Sequence, residues 1–203
     1  LIHPRKQTAP KSCRVLVLSP TRELSGQILD SFNAYGRHLR LSATLAIGGV
    51  PMGRQVRAVM GGVDIMVATP GRLLDLVRGN ALKLGQVEFL VLDEADRMLD
   101  MGFMPDVRRI VERCPKQRQT MLFSATIPPE IEQLSKWALR NPETVEIGLR
   151  RSPAETVTHA LYPVANDQKQ ALLDELLKRT DFDQVLIFCR TKHGADGVAR
   201  KLQ

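Results

Sequence analysis

The sequence contains few aromatic residues and no long apolar run. Phe, Trp and Tyr make up only 4% of the 203 residues, which argues against recognition of nucleic acid by stacking bases on aromatic rings. No stretch approaches the roughly 20 consecutive apolar residues that a membrane-spanning helix needs, so we expect no membrane partner. The basic start, residues 1–6, is not followed by the apolar segment of a signal peptide.

Cysteine is scarce as well. Cys13, Cys114 and Cys189 are far apart and odd in number, and neither they nor the four histidines show the spacing of a metal site. Two of the cysteines adjoin apolar, strand-like runs. Reduced thiols in a cytoplasmic protein are therefore the simplest interpretation.

Charge is unbalanced toward the basic side. The net charge is +7 and the isoelectric point is near 9.7. A surplus of this size favours a polyanionic partner such as nucleic acid. A solvated, arginine-rich surface would give the same composition, so charge alone does not decide between the two.

Short apolar runs alternate with helical patterns along the chain. Several runs are almost continuous Val, Leu and Ile, as strands buried on both faces of a parallel sheet require. The strongest helical stripe runs from Leu172 to Leu177. Strict alternation of this kind predicts a parallel α/β fold with right-handed crossovers. The candidate strands are residues 14–19, 43–47, 64–68, 89–92, 120–123, 144–147, 158–164 and 185–189.

The periodicity breaks once, at residues 149–156, which are charged and contain a proline. We interpret this segment as a linker between one nearly complete lobe, residues 1–148, and the start of a second, residues 157–203. The chain lacks a starting Met and stops at Gln203 inside a helical pattern, so we expect it to be an excerpt of a longer protein.

Two carboxylates directly follow the apolar run at residues 89–92. Ligands of open α/β sheets bind at the carboxyl ends of the strands. Asp93 at that end can hold Mg²⁺ on the phosphates of a nucleotide, mainly through retained waters. Glu94 can polarise the attacking water. The alternative is a plain acidic first turn of a helix over residues 94–101, stabilised by the helix dipole.

Two further segments place a threonine and an arginine where a strand gives way to a helix. Thr21, Arg22 and Glu23 follow the first strand, and residues 69–72 (Thr-Pro-Gly-Arg) follow the third. Exposed amides and an arginine fork at such a place suit a phosphate group. Thr21 could instead be only an N-cap, with Arg22 and Glu23 on the helix surface.

Two other segments leave alternatives open. Gly48 and Gly49 could end a strand in a turn or allow close approach to a ligand. Ser124 and Thr126 follow the fifth strand, beside the expected nucleotide site, but could equally cap the helix that begins near residues 128–129.

Taken together, these segments resemble the motifs of the DEAD-box RNA helicases, which are named after the four residues at 93–96. The other motifs follow in the family's order and cover nearly the whole chain. The motif residues are Pro20-Thr21-Arg22-Glu23-Leu24 with Gln27, Gly48-Gly49, Thr69-Pro70-Gly71-Arg72, Asp93-Glu94-Ala95-Asp96, Ser124-Ala125-Thr126 and Leu186-Ile187-Phe188-Cys189-Arg190-Thr191.

The resemblance implies two RecA-like lobes that use ATP and Mg²⁺ and bind RNA across both, through backbone contacts with little sequence specificity. It implies ATP and Mg²⁺ contacts at Asp93 and Glu94, and coupling of the ATP and RNA sites through Asp96, Ser124 and Thr126. The implied RNA-binding residues are Pro20, Thr21, Arg22, Glu23, Gly48, Gly49, Thr69, Pro70, Gly71, Arg72, Arg190 and Thr191. Protein partners cannot be read from the sequence.

The sequence also departs from the family. It contains no Gly-x-x-x-x-Gly-Lys-[Ser/Thr] loop. We expect the central strand that leads into that loop to be missing too, which would leave a gap in the sheet. Without the loop, these residues alone are predicted to be inactive on ATP. A non-catalytic RNA-binding module or scaffold is therefore the alternative function, and a DNA-directed relative is a weaker competitor. Residues 97–103 and 190–196 look like the bacterial RhlE-like branch.

Overall fold

The computed structural model describes residues 8–147, 157–181 and 183–202. The chain divides into two compact units, Leu1–Thr144 and Val145–Gln203. The predicted linker, residues 149–156, lies outside the described residues. In the described part of the chain, no helix is both long and apolar enough to cross a bilayer.

The first unit is built around one parallel sheet of five strands in the order β2-β3-β1-β4-β5. Helices connect the strands, so the chain alternates as the sequence predicts. The strands are β1 (Cys13–Leu18), β2 (Ala43–Ala46), β3 (Val63–Ala68), β4 (Phe89–Leu92) and β5 (Gln119–Leu122). The helices are α1 (Arg22–Tyr35), α2 (Met52–Val59), α3 (Pro70–Arg78), α4 (Ala95–Asp100), α5 (Met104–Arg113) and α6 (Pro129–Ala138).

The central strands are apolar except for Arg14 in β1 and Asp64 in β3, because both faces of the sheet are covered. All six residues of β1 are buried. Leu16 and Leu18 point into the larger core cluster, whereas Val15 and Val17 join a second cluster to which Phe32 of α1 contributes. Alternate residues of a strand face opposite sides, so two cores require a continuous apolar run.

The expected gap in the sheet is wrong. Strand β1 pairs directly with β4, with Val15 opposite Phe89. Strand β4 pairs in turn with β5, with Phe89 opposite Gln119. Since neighbouring strands already share their backbone hydrogen bonds, a further strand could add only at the outer edge of β2 or β5.

The second unit contains a 3₁₀ turn (Asn166–Gln168) and two helices, α7 (Lys169–Arg179) and α8 (Lys192–Leu202). The strands predicted at residues 144–147, 158–164 and 185–189 are wrong, since no described residue there is assigned to a strand. Leu186 and Phe188 are 79% and 88% exposed. An extended segment becomes a strand only when a neighbour accepts and donates its backbone hydrogen bonds, and the described residues offer it none.

Candidate functional site

The motif segments of the first unit meet at one edge of the sheet, where the parallel strands end. The strand order places them side by side in a sequence that differs from their order in the chain. From one end of the edge to the other, the segments are 48–49 after β2, 69–72 after β3, 20–23 after β1, 93–96 after β4 and 124–126 after β5. The acidic segment therefore lies between the arginine-bearing segments and the hydroxyl segment.

Asp93 and Glu94 are presented by a sharp turn between β4 and α4. The Asp93 amide donates to the Leu18 carbonyl of β1 at 2.9 Å, which extends the sheet by one residue. Asp93 Oδ1 accepts from the Glu94 amide at 3.0 Å. Glu94 has φ 48° and ψ 55°, the left-handed region that non-glycine residues rarely adopt. Its side chain is exposed and makes no capping bond to α4.

The acidic turn suits Mg²⁺ held mainly through water. Among the described residues, no group of three or more His, Cys, Asp or Glu side chains is arranged to hold a metal ion. Magnesium does not need such a cage, because it keeps several waters and takes one or two carboxylates together with the phosphates of a nucleotide. Asp93 fits that role, since only one of its oxygens accepts a hydrogen bond in the described part of the chain.

Asp96 joins the acidic turn to the hydroxyl segment. Its Oδ2 accepts from the Thr126 amide and from Thr126 Oγ1, both at 2.8 Å. The Asp96 amide donates to Ser124 Oγ at 3.1 Å, and Ser124 Oγ donates to the Thr126 carbonyl at 2.7 Å. Burial raises the pKa of Asp96, but hydrogen bonds from Thr126 and Arg97 outweigh it and hold that pKa below its ordinary value of 3.8.

The capping alternative for the hydroxyl segment does not match the structure. Helix α6 begins at Pro129, and the side chain of its N-cap residue, Pro128, makes no capping hydrogen bond to the helix. The Ser124 hydroxyl accepts from the Asp96 amide and donates to the Thr126 carbonyl, and the Thr126 hydroxyl donates to the Asp96 carboxylate.

The segment after β1 combines an N-cap with an exposed charge. Thr21 Oγ1 accepts from the Leu24 amide at 3.2 Å, so Thr21 does cap α1. Ser25 Oγ donates to the Thr21 carbonyl at 2.8 Å and lies 2.6 Å from Ser19 Oγ in a buried contact that fixes the turn. Arg22 and its neighbour Glu23 are exposed at the start of the helix.

Arg22 and Arg72 both contact the turn that contains the glycine pair. A Cβ built on Gly49 would lie 2.2 Å from Arg22 Nη1, and one on Gly48 would lie 3.5 Å from Nη2 of the same side chain. Arg72 Nη1 donates to the Val50 carbonyl at 2.8 Å. The glycine pair therefore leaves room for the Arg22 guanidinium to lie against the backbone.

Sequence reasoning missed Gln55, on α2. Its side chain is buried and its Nε2 donates to the Ile47 carbonyl at 2.9 Å, directly before the glycine pair. The available signal was a polar residue four positions before the buried Val59, on the inward face of an otherwise apolar stripe.

The second unit repeats one local feature of the first. Thr191 Oγ1 accepts from the Gly194 amide at 3.1 Å, three residues along, as Thr21 does from Leu24. Arg190 is exposed beside it.

The fold and the order of these segments along the sheet edge define a RecA-like α/β domain of the helicase type. Residues 2–134 match the family model described as DEAD/DEAH box helicase, and the chain belongs to this family.

Relatives in plants and yeast match nearly the whole chain. DEAD-box ATP-dependent RNA helicase 40 of Oryza sativa subsp. japonica is 44% identical over 98% of this chain and 26% of its own length. DEAD-box ATP-dependent RNA helicase 20 of Arabidopsis thaliana is 46% identical over 93% of this chain and 38% of its own. ATP-dependent RNA helicase dbp2 of Schizosaccharomyces pombe is 44% identical over 93% of this chain and 35% of its own length. The chain thus spans well under half of each relative.

A solved structure supports the fold. The crystal structure of a hypothetical ATP-dependent RNA helicase from Sulfolobus tokodaii superposes with a TM-score of 0.61 at 40% identity. The match covers 64% of this chain and 39% of that one.

Proposed function

We propose that the full-length protein is an ATP-dependent RNA helicase that couples ATP binding and hydrolysis to RNA binding and local duplex unwinding. The observation that carries this proposal is the position of the acidic turn. It lies between the segment at 20–23, which exposes a cation, and the segment at 124–126, to which Asp96 binds it. One sheet edge therefore brings together nucleotide chemistry and a surface suited to RNA phosphates.

In this scheme Asp93 holds the magnesium ion and Glu94 orients and polarises the water that attacks the terminal phosphate. The left-handed backbone of Glu94 supports that role, since it turns the carboxylate out of the helix and into solvent. Magnesium bound at Asp93 would neutralise phosphate charge. At the strand end Glu94 is exposed and Asp93 is half-buried.

Asp96, Ser124 and Thr126 are proposed to couple the two activities. Movement of the turn that carries Glu94 displaces Asp96, two residues on. Asp96 is tied by two 2.8 Å bonds to a segment that follows the edge strand β5. A change at the nucleotide is thus transmitted to the backbone beyond β5.

RNA is proposed to lie along the other half of the edge, over residues 20–23, 48–49 and 69–72. Helix N-termini, glycines and an exposed arginine suit phosphates rather than bases, so we expect little sequence preference. The net charge of +7 supports a polyanionic ligand. Arg190 and Thr191, directly before α8 of the second unit, are also proposed to bind RNA. Residues 149–156 are proposed to be the linker between lobes 1–148 and 157–203.

The 203 residues by themselves are predicted not to hydrolyse ATP. They lack the Gly-x-x-x-x-Gly-Lys-[Ser/Thr] loop whose amides and lysine cradle the phosphates. The test therefore uses the full-length protein, and its ATPase rate is measured with and without RNA that contains a duplex. We expect RNA to stimulate hydrolysis and Glu94→Gln to abolish it while ATP binding is kept.

The matched control is Glu112→Gln, the same chemical change at an exposed position of α5. It should leave the ATPase rate unchanged. Undiminished hydrolysis in Glu94→Gln would refute the role given to Glu94.

The alternative function is a non-catalytic RNA-binding module or scaffold, which the presence of both Asp93 and Glu94 disfavours. RNA binding by the full-length protein without any ATP hydrolysis would establish this alternative and make the acidic turn a relic. Assignment to the bacterial RhlE-like branch stays a prediction, because the relatives described above come from plants and yeast. A cytoplasmic location, inferred from the unpaired cysteines, stays a prediction as well.

A further inference from the structure

The turn at Gly48 and Gly49 is held from both sides by side chains of other elements. Before the pair, the Ile47 carbonyl accepts from Gln55 Nε2 of α2 at 2.9 Å. After it, the Val50 carbonyl accepts from Arg72 Nη1 of α3 at 2.8 Å. Glycine has more backbone freedom than other residues, so two fixed carbonyls three residues apart determine where this turn lies.

Gln55 is a poor choice for stability alone. Its side chain is only 6% exposed, and its buried Oε1 has no hydrogen-bond partner among the described residues. Turning the amide over would set Oε1 against the Ile47 carbonyl, acceptor against acceptor. An unsatisfied buried acceptor is destabilising, and an apolar side chain of the same size would avoid it. What Gln55 does supply is the bond to Ile47.

The two arginines beside the turn differ in whether their hydrogen-bond donors are already in use. The Arg72 side chain is 15% exposed, bonds the Val50 carbonyl, and places Nε 3.8 Å from Asp75 Oδ2. Arg22 is exposed and makes no hydrogen bond or ion pair with the described residues. Its guanidinium lies against Gly48 and Gly49. Arg72 is therefore held by a backbone carbonyl and a carboxylate, whereas no described residue uses a donor of Arg22.

We propose that Gln55 and Arg72 are positioning residues that fix the turn at the glycine pair, so that the Arg22 guanidinium packs against it. In this arrangement Arg22, and not Arg72, supplies the cation that meets an RNA phosphate. This inference rests on the proposed function and assigns different roles to Arg22, which binds RNA, and to Gln55 and Arg72, which position it.

The test is the salt dependence of RNA affinity, measured by titrating the full-length protein with labelled single-stranded RNA at several salt concentrations. Each phosphate contact contributes about 0.7 to the slope of log K against log salt on single strands. Arg22→Gln should lower the slope by about 0.7. Arg72→Gln and Gln55→Met should each weaken binding about three- to tenfold, the effect of one lost hydrogen bond, at every salt concentration and with the slope unchanged.

The matched control is Arg78→Gln, which removes the same charge from the far end of α3, where the side chain is exposed. It should alter neither affinity nor slope. A thermal scan separates positioning from folding, since the unfolding midpoint of Gln55→Met should stay within about 3 °C of wild type.

Three results would overturn the inference. They are a slope for Arg72→Gln reduced as far as for Arg22→Gln, wild-type affinity in Gln55→Met, and a Gln55→Met protein that no longer folds. A wild-type protein that shows no salt-dependent RNA binding would instead overturn the proposed function, and the two failures are thus distinguishable.

Discussion

Gly49 offers a sharp test of the sheet-edge geometry, because its neighbour provides a matched control. Gly49 has φ +76°, whereas Gly48 lies outside the left-handed region. A Cβ at Gly49 would lie 2.2 Å from Arg22 Nη1 and 2.9 Å from Cζ. A Cβ at Gly48 would be in ordinary contact, 3.5 Å from Nη2 of the same side chain.

The expected loss of stability in Gly49→Ala follows from the positive φ of Gly49 and from its close contact with Arg22. An alanine held in the left-handed region costs about 1–2 kcal/mol. The steric clash adds little to that, because the guanidinium is the end of a flexible exposed side chain and can move away by about 1 Å to reach normal contact. The displaced Arg22 would lose its phosphate contact, and a hydrogen bond to a charged group is worth enough to weaken RNA binding about tenfold or more.

Two assays measure these effects. Urea unfolding of the 203-residue chain can be followed through Trp137, its single tryptophan, which lies on α6. We expect Gly49→Ala to lower the free energy of unfolding by about 1–2 kcal/mol and Gly48→Ala to change it by less than about 0.5 kcal/mol. RNA titration of the full-length protein should show a smaller salt slope for Gly49→Ala only.

Equal behaviour of the two alanine variants in both assays would refute this reasoning. It would mean that neither the backbone at Gly49 nor the position of Arg22 over it matters to the fold or to RNA.

Four further predictions concern the remainder of the first unit. Gly62→Ala would place a Cβ 2.3 Å from the Ala9 carbonyl oxygen at φ +83° and should cost more than about 2 kcal/mol. Gly26→Ala, in open space on α1, should gain about 1 kcal/mol, and urea unfolding measures both. The pKa of Asp96 is lowered in the folded state, so the ionised carboxylate stabilises the fold above the unfolded pKa, and this stabilisation is lost as pH falls through the folded pKa. The urea midpoints of wild type and Asp96→Asn should therefore differ at pH 7 and converge below about pH 4. A difference between the two midpoints that persists in acid would contradict this. Burial raises the pKa of Cys13 to about 12 and that of Cys114 to about 11, so alkylation at pH 8 should modify neither thiol until urea unfolds the chain.

The strands of the first unit could be predicted from sequence to within about a residue, because most of them are short, mainly apolar runs that end at a turn. Strand β4 begins and ends where expected, at Phe89 and Leu92. The same pattern at residues 158–164 and 185–189 forms no strand in the described residues. An apolar run shows only that a strand is possible, since its backbone bonds depend on a partner elsewhere in the chain.

The candidate site divides in the same way. Its residues could be picked out from local chemistry and the family resemblance, since each motif is a few adjacent residues at a strand end. The sequence could not show which of these segments are neighbours. The strand order decides that, and it places residues 93–96 between 20–23 and 124–126.

The sequence by itself determined the alternation of strand and helix, the basic charge and the identity of the motif residues, since all of these depend on adjacent side chains. Only the tertiary structure decided that the sheet has no interior gap, that Ser124 and Thr126 bind Asp96 rather than cap a helix, and that Gln55 holds the glycine turn. Each of these depends on contacts between segments that lie apart in the chain. Such contacts form only when packing and strand pairing bring the segments together, and no local pattern records them.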